Sequence, residues 1–182
     1  MGSIGINAQV NIDTIIKRIN PNFNQNASNL DVAGYNNNCV QCAIAFEANM
    51  RGENVEANPF IFADRDTLNK ARNVEDAFNN EDVWNVGRNK KQDAIREIDL
   101  MMKEDWGKGS RAILQENSAG RKHTMNIIND NGNIIVIDSQ NGTKGTLSTM
   151  LKGINTKDMK LFRVDNKPIN KDFAKWAYHN KK

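Results

Sequence analysis

The sequence predicts an α+β fold in which helices come first and an antiparallel sheet follows. Three observations carry that expectation. Apart from a last helix near the end of the chain, segments with helical apolar spacing end near Trp106 and strand-like segments begin at Arg111, an order unlike alternating βαβ units. The stretch from Cys39 to Arg51 is apolar on most sides, so it belongs at the centre of the molecule. Asn131-Gly132 sits between two apolar runs and is the strongest short-range hairpin signal in the chain.

Taken in order, Val10, Ile12, Ile15, Ile16 and Ile19 have the spacing of a short amphipathic helix, which Asn20-Pro21 ends. Residues 20 to 37 are rich in Asn and read as a loop. A second helix runs from Cys39 to Arg51, with Asn38 as its N-cap and Gly52 as its C′ residue. Short helical pieces follow near Thr67–Arg72 and Val74–Phe78. Lys90 to Trp106 is the clearest long helix, with Ala94, Ile95, Ile98, Met101, Met102 and Trp106 as its apolar stripe; Gly107-Lys108-Gly109 ends it. Strands are expected at Arg111–Gln115, His123–Asn129, Ile134–Asp138 and Lys160–Val164, and a last helix at Lys171–Tyr178.

A chain of 182 residues suits one domain with a short addition, here residues 1–20 as a helical extension and 21–182 as the main domain. The net charge of +3 is too small to argue for nucleic acid, because a protein that tracks phosphates gathers Lys and Arg on one face. Arg88, Lys90 and Lys91, and the pair Lys181-Lys182, read as solvated surface. No apolar run approaches the ~20 residues that cross a bilayer, so membrane insertion is not expected. The N-terminus lacks the basic stretch and apolar core of a signal peptide. Two cysteines make no multi-bridge framework, and a structural zinc site needs four ligands, so no metal site is expected.

Cys39 follows the N-cap of the apolar helix. The first turn of a helix presents unpaired N–H groups and the positive end of the dipole, and both favour a thiolate and a developing oxyanion. Two other readings stand beside this one. A free cysteine is commonly a buried structural residue, and Cys-Val-Gln-Cys at a helix start also describes a redox pair. Against the redox pair, Tyr35-Asn36-Asn37-Asn38 is a turn, not a strand, and no βαβ pattern surrounds it. Cys42 lies one turn inside the helix, where the dipole advantage has faded.

If Asn131-Gly132 forms a two-residue turn, Asp130 faces Asn133, Met125 faces Asp138 and His123 faces Gln140. Residues 123, 125, 127, 136, 138 and 140 then share one face, and His123 and Asp138 are diagonal neighbours. Asp138 would orient the imidazole through one nitrogen and leave the other for a nucleophile. The plainer alternative is a surface His on a strand and an Asp ending the next.

These residues resemble the papain-fold toxin family described as toxin glutamine deamidases. The similar segments are Asn38-Cys39-Val40-Gln41-Cys42-Ala43, Arg51-Gly52, Val55-Glu56-Ala57, Gly107-Lys108-Gly109-Ser110-Arg111-Ala112, His123-Thr124-Met125-Asn126, Asn131-Gly132 and Asp138-Ser139-Gln140-Asn141-Gly142. They span roughly residues 20 to 145; Lys122 stands where the family often has Gly. The resemblance implies a papain-like fold over 21–182, in which a central helix carrying the Cys packs on an antiparallel sheet carrying His and Asp. It implies a Cys39-His123-Asp138 triad, whose chemistry needs no cofactor. Asn38, and Gln140 from its expected place opposite His123, are candidates for placing the oxyanion or the substrate; the alternative for Gln140 is a polar side chain that stabilises the turn. Arg111 is expected to be structural. The implied partner is a protein substrate, deamidated at glutamine, and many such modules end larger secreted proteins, act in a target cell and are paired with an immunity protein. Peptide-bond or isopeptide-bond hydrolysis by the same triad, and a non-catalytic, phage-associated binding module, remain the alternatives.

Overall fold

In a computed structural model of the chain, the described residues are 11–24, 34–60, 74–79, 83–118 and 121–181. They form α1 (Ile12–Ile19), α2 (Cys39–Met50), β1 (Val55–Ala57), α3 (Val74–Phe78), β2 (Val83–Asn85), α4 (Lys91–Leu100), a π-helical turn (Met101–Asp105), β3 (Arg111–Ser118), β4 (Arg121–Asp130), β5 (Asn133–Asp138), β6 (Thr143–Gly145), α5 (Leu147–Met150), β7 (Met159–Arg163), α6 (Lys171–Ala177) and β8 (Tyr178–Asn180). One antiparallel sheet has the order β2-β7-β3-β4-β5-β6, and β1 pairs with β8 in a second. The α+β class is as expected. Val10 and the segment Thr67–Arg72, both read as helical, lie outside the described residues.

Alternation along the strands gives the large sheet two apolar faces. Ile113 and Phe162 pack with Val40, Ala43 and Ile44 of α2. Their neighbours Ala112, Leu114 and Leu161 pack with Ala94, Ile98 and Met102 on the other side. Helix α2 is therefore central, and every residue from Val40 to Asn49 is buried. Two of its buried polar side chains, Glu47 and Asn49, are fully partnered, whereas Gln41 Nε2 is buried without one. Glu47 accepts a bidentate pair of bonds from Arg111 at 2.8 and 2.9 Å and another from Arg51 at 2.8 Å. The Asn49 amide donates to the Ala45 and Val55 carbonyls. At its C-terminus Gly52 has φ +94°, and Glu53 N–H bonds back to the Ala48 carbonyl, closing a Schellman motif. Helix α1 lays Ile15, Ile16 and Ile19 against Phe46 and Ala48 of α2.

The long helix expected over Lys90–Trp106 is α-helical only from Lys91 to Leu100. The cause lies in the Met102 carbonyl, which accepts from Ser110 Oγ at 3.2 Å and Asn129 Nδ2 at 2.7 Å. An α-helix would give that carbonyl to Trp106 N–H. Trp106 instead bonds the Met101 carbonyl at 3.0 Å, which makes the turn a π-helix. At the other end of the chain, the last helix stops at Ala177 because Tyr178 joins β8 and pairs with Ala57.

Candidate active site

Helix α2 and the β4–β5 hairpin deliver the candidate residues. The turn is the two-residue form expected of Asn-Gly: Asn131 and Gly132 have φ +53° and +98°, and Asp130 faces Asn133. The register continues to Asn126 opposite Ile137, so His123 and Asp138 share a face as anticipated. Their side chains meet, with His123 Nε2 2.7 Å from Asp138 Oδ2. Gln140 does not lie opposite His123. The chain leaves the strand after Asp138, whose Oδ1 accepts from the Gln140 and Asn141 N–H groups at 3.1 and 3.4 Å and folds residues 139–142 into a turn.

Asp138 is buried, and both its oxygens are engaged. Oδ2 accepts from His123 and from Asn141 Nδ2 at 2.9 Å, while Oδ1 takes the two backbone donors. A carboxylate that only accepts suits all four partners. Behind it, Ser139 Oγ donates to Asn126 Oδ1, and Asn126 Nδ2 donates to the Ala43 carbonyl of α2. The hairpin is thus bonded directly to the helix that carries the cysteine.

Cys39 is the first residue of α2 and is half-buried; its Sγ lies 4.0 Å from the Lys122 carbonyl oxygen, next to His123. Burial opposes a charge on the imidazole. The hydrogen bonds and charges of Asp138 and Cys39 outweigh it and raise the His123 pKa to about 10. His123 is therefore held protonated through neutral pH, between the Asp138 carboxylate and the Cys39 sulfur. Cys42 is wholly buried, and burial, then the Cys39 and Asp138 charges, push its thiol well above the ordinary range. Cys42 is packed among Ile19, Phe46 and Ile137.

Asn38 holds the N-cap position, but its side chain makes no cap bond. The amide is committed elsewhere: Nδ2 donates to the Asn58 carbonyl at 3.0 Å and to Asn20 Oδ1 at 3.3 Å, and Oδ1 accepts from Asn20 and Gln140. Fully buried, Asn38 positions the start of α2 and leaves the first-turn N–H groups free of its side chain. Gln140 is half-buried and reaches Asn38 Oδ1 at 3.4 Å. Arg111 is structural, as expected. Burial acts against its charge, but the bonds and charge of Glu47, with the Asp165 charge, hold its pKa above the ordinary value. Sequence reasoning gave no role at the site to Asn141, quoted only within the Asp138–Gly142 segment, or to Asn20, which reads as a helix stop.

Comparison with curated proteins and with solved structures found no match. Among protein families, residues 37–143 match the one described as papain fold toxin 1, glutamine deamidase. That span takes in more than half of the chain, from the turn before α2 to the start of β6, and contains Cys39, His123 and Asp138. The chain belongs to this papain-fold family of glutamine deamidase toxins.

Proposed function

We propose that the chain is a cysteine hydrolase that converts glutamine side chains of a target protein to glutamate, with Cys39 as nucleophile, His123 as proton carrier and Asp138 as its orienter. The observation that carries this reading is the 2.7 Å His123–Asp138 bond beside a thiol at a helix start, in a chain of this family. His123 holds the proton of Cys39, and the thiolate attacks the amide carbon of a bound glutamine. The tetrahedral oxyanion is held by N–H groups of the first turn of α2. The C–N bond breaks as His123 gives its proton to the leaving ammonia, which leaves an acyl-thioester on Cys39. Water, deprotonated by His123, attacks the thioester and releases glutamate and the thiol.

Among the described residues no helix is long and apolar enough to cross a membrane. The family's toxin description supports delivery into a target cell, action on a protein in its cytoplasm, and a cognate immunity protein in the producer. The test is peptide mapping of a cell extract incubated with the chain. Conversion of specific glutamines to glutamate in unbroken proteins is the expected result. Fragments in place of converted glutamines would assign the triad to peptide-bond cleavage instead.

A further inference from the structure

We infer that Asn20, outside the span matched by the family, is a positioning residue: its amide clamps the turn before Cys39 to the turn after Asp138 and so sets how thiol and imidazole meet. Asn20 is 8% exposed. Its Nδ2 lies 3.0 Å from the Tyr35 carbonyl, 3.2 Å from Asn38 Oδ1 and 2.9 Å from the Gln140 carbonyl. An amide nitrogen carries two hydrogens, so three acceptors share them and none is spare. Tyr35 and Asn38 belong to the chain entering α2, and Gln140 follows the carboxylate that holds His123. Among the described residues these segments share no strand ladder, and a direct link between them, Gln140 Nε2 to Asn38 Oδ1, is long at 3.4 Å. Asn20 is itself fixed, because Ile15, Ile16 and Ile19 anchor α1 in the core one turn earlier.

Loss of the clamp leaves the Tyr35 and Gln140 carbonyls short of a donor and frees the two turns to separate. A displacement of about 1 Å between reacting groups costs on the order of 10²-fold in rate. This role rests on the proposed function, but it has a readout that needs no substrate. The chain has two histidines, so the His123 imidazole can be followed by NMR through its titration. In Asn20→Ala the His123 midpoint should fall from about 10 by about one unit, the lower end of what one close opposite charge supplies. The matched control is Asn170→Ala. Asn170 caps α6 through Asp172 N–H and bonds the Asp76 carbonyl and Asn79 Oδ1, none of which touches Cys39, His123 or Asp138, and its loss should leave the midpoint in place. If Asn20→Ala does not fold, Asn20→Ser, which keeps a hydroxyl donor, is held to the same criterion. A wild-type chain that titrates near 10 yet converts no glutamine would refute the deamidase reading and leave the clamp standing. A folded Asn20 variant with an unshifted midpoint, or an equal shift in Asn170→Ala, would overturn the clamp.

Discussion

His123 sits between two partners with different demands. Asp138 bonds the ring at Nε2, which in the proposed mechanism leaves Nδ1 for the Cys39 proton. Asp138→Asn tests that division. Both carboxylate oxygens accept from donors, so an amide NH2 placed at either one sets a donor against a donor. Turned toward His123, it favours the tautomer that cannot take the thiol proton. Turned away, it opposes the Gln140 and Asn141 N–H groups and loosens the turn. Turnover should fall between about 10² and 10⁴-fold with the melting temperature little changed, whereas near wild-type turnover would remove Asp138 from the mechanism. The placement of Cys39 at a helix start, and of His123 and Asp138 on one face of the hairpin, was legible in the sequence because each follows from a local rule: helix capping, turn type, strand parity. Asn20 was not, since its partners are carbonyls and an amide 15, 18 and 120 residues away that only the folded chain brings together.

At the scale of elements, the sequence located α2, the Asn-Gly hairpin and the four longer strands of the large sheet, β3, β4, β5 and β7, where periodicity runs long enough to be read. The three-residue strands β1, β2, β6 and β8 carry too few residues for a period of two to show. The π-turn escaped because its cause is an asparagine on another strand, Asn129, and not anything in Met101–Asp105 itself. Glu47 shows how α2 is fastened to the sheet. Its side chain is 1% exposed and shared by Arg111 of β3 and Arg51. Arg111→Ala leaves a buried carboxylate half-compensated, so unfolding free energy should drop by about 3 kcal/mol. A urea melt reads this directly, and a loss within 0.5 kcal/mol, the range of ordinary surface substitutions, would mean that Arg51 alone satisfies Glu47.

For the molecule as a whole, the sheet separates two cores, and α2 crosses one of them with its N-terminal tip at the end of the β4–β5 hairpin away from Asn131-Gly132. The all-round apolar character of α2 made its central place legible. The second apolar face, under α4 and the π-turn, followed from the stripe Ala94, Ile98, Met101 and Met102. The Asn-rich loop read as featureless because asparagines announce turns without naming their partners. The central claim is that this architecture makes Cys39, and not Cys42, a nucleophile that depends on His123. Limiting iodoacetamide near neutral pH, followed by peptide mapping, tests it without any knowledge of the target. Cys39 should be labelled and buried Cys42 left intact, and His123→Ala should slow Cys39 labelling by at least about tenfold. Preferential labelling of Cys42, or a Cys39 rate indifferent to the loss of His123, would contradict the account.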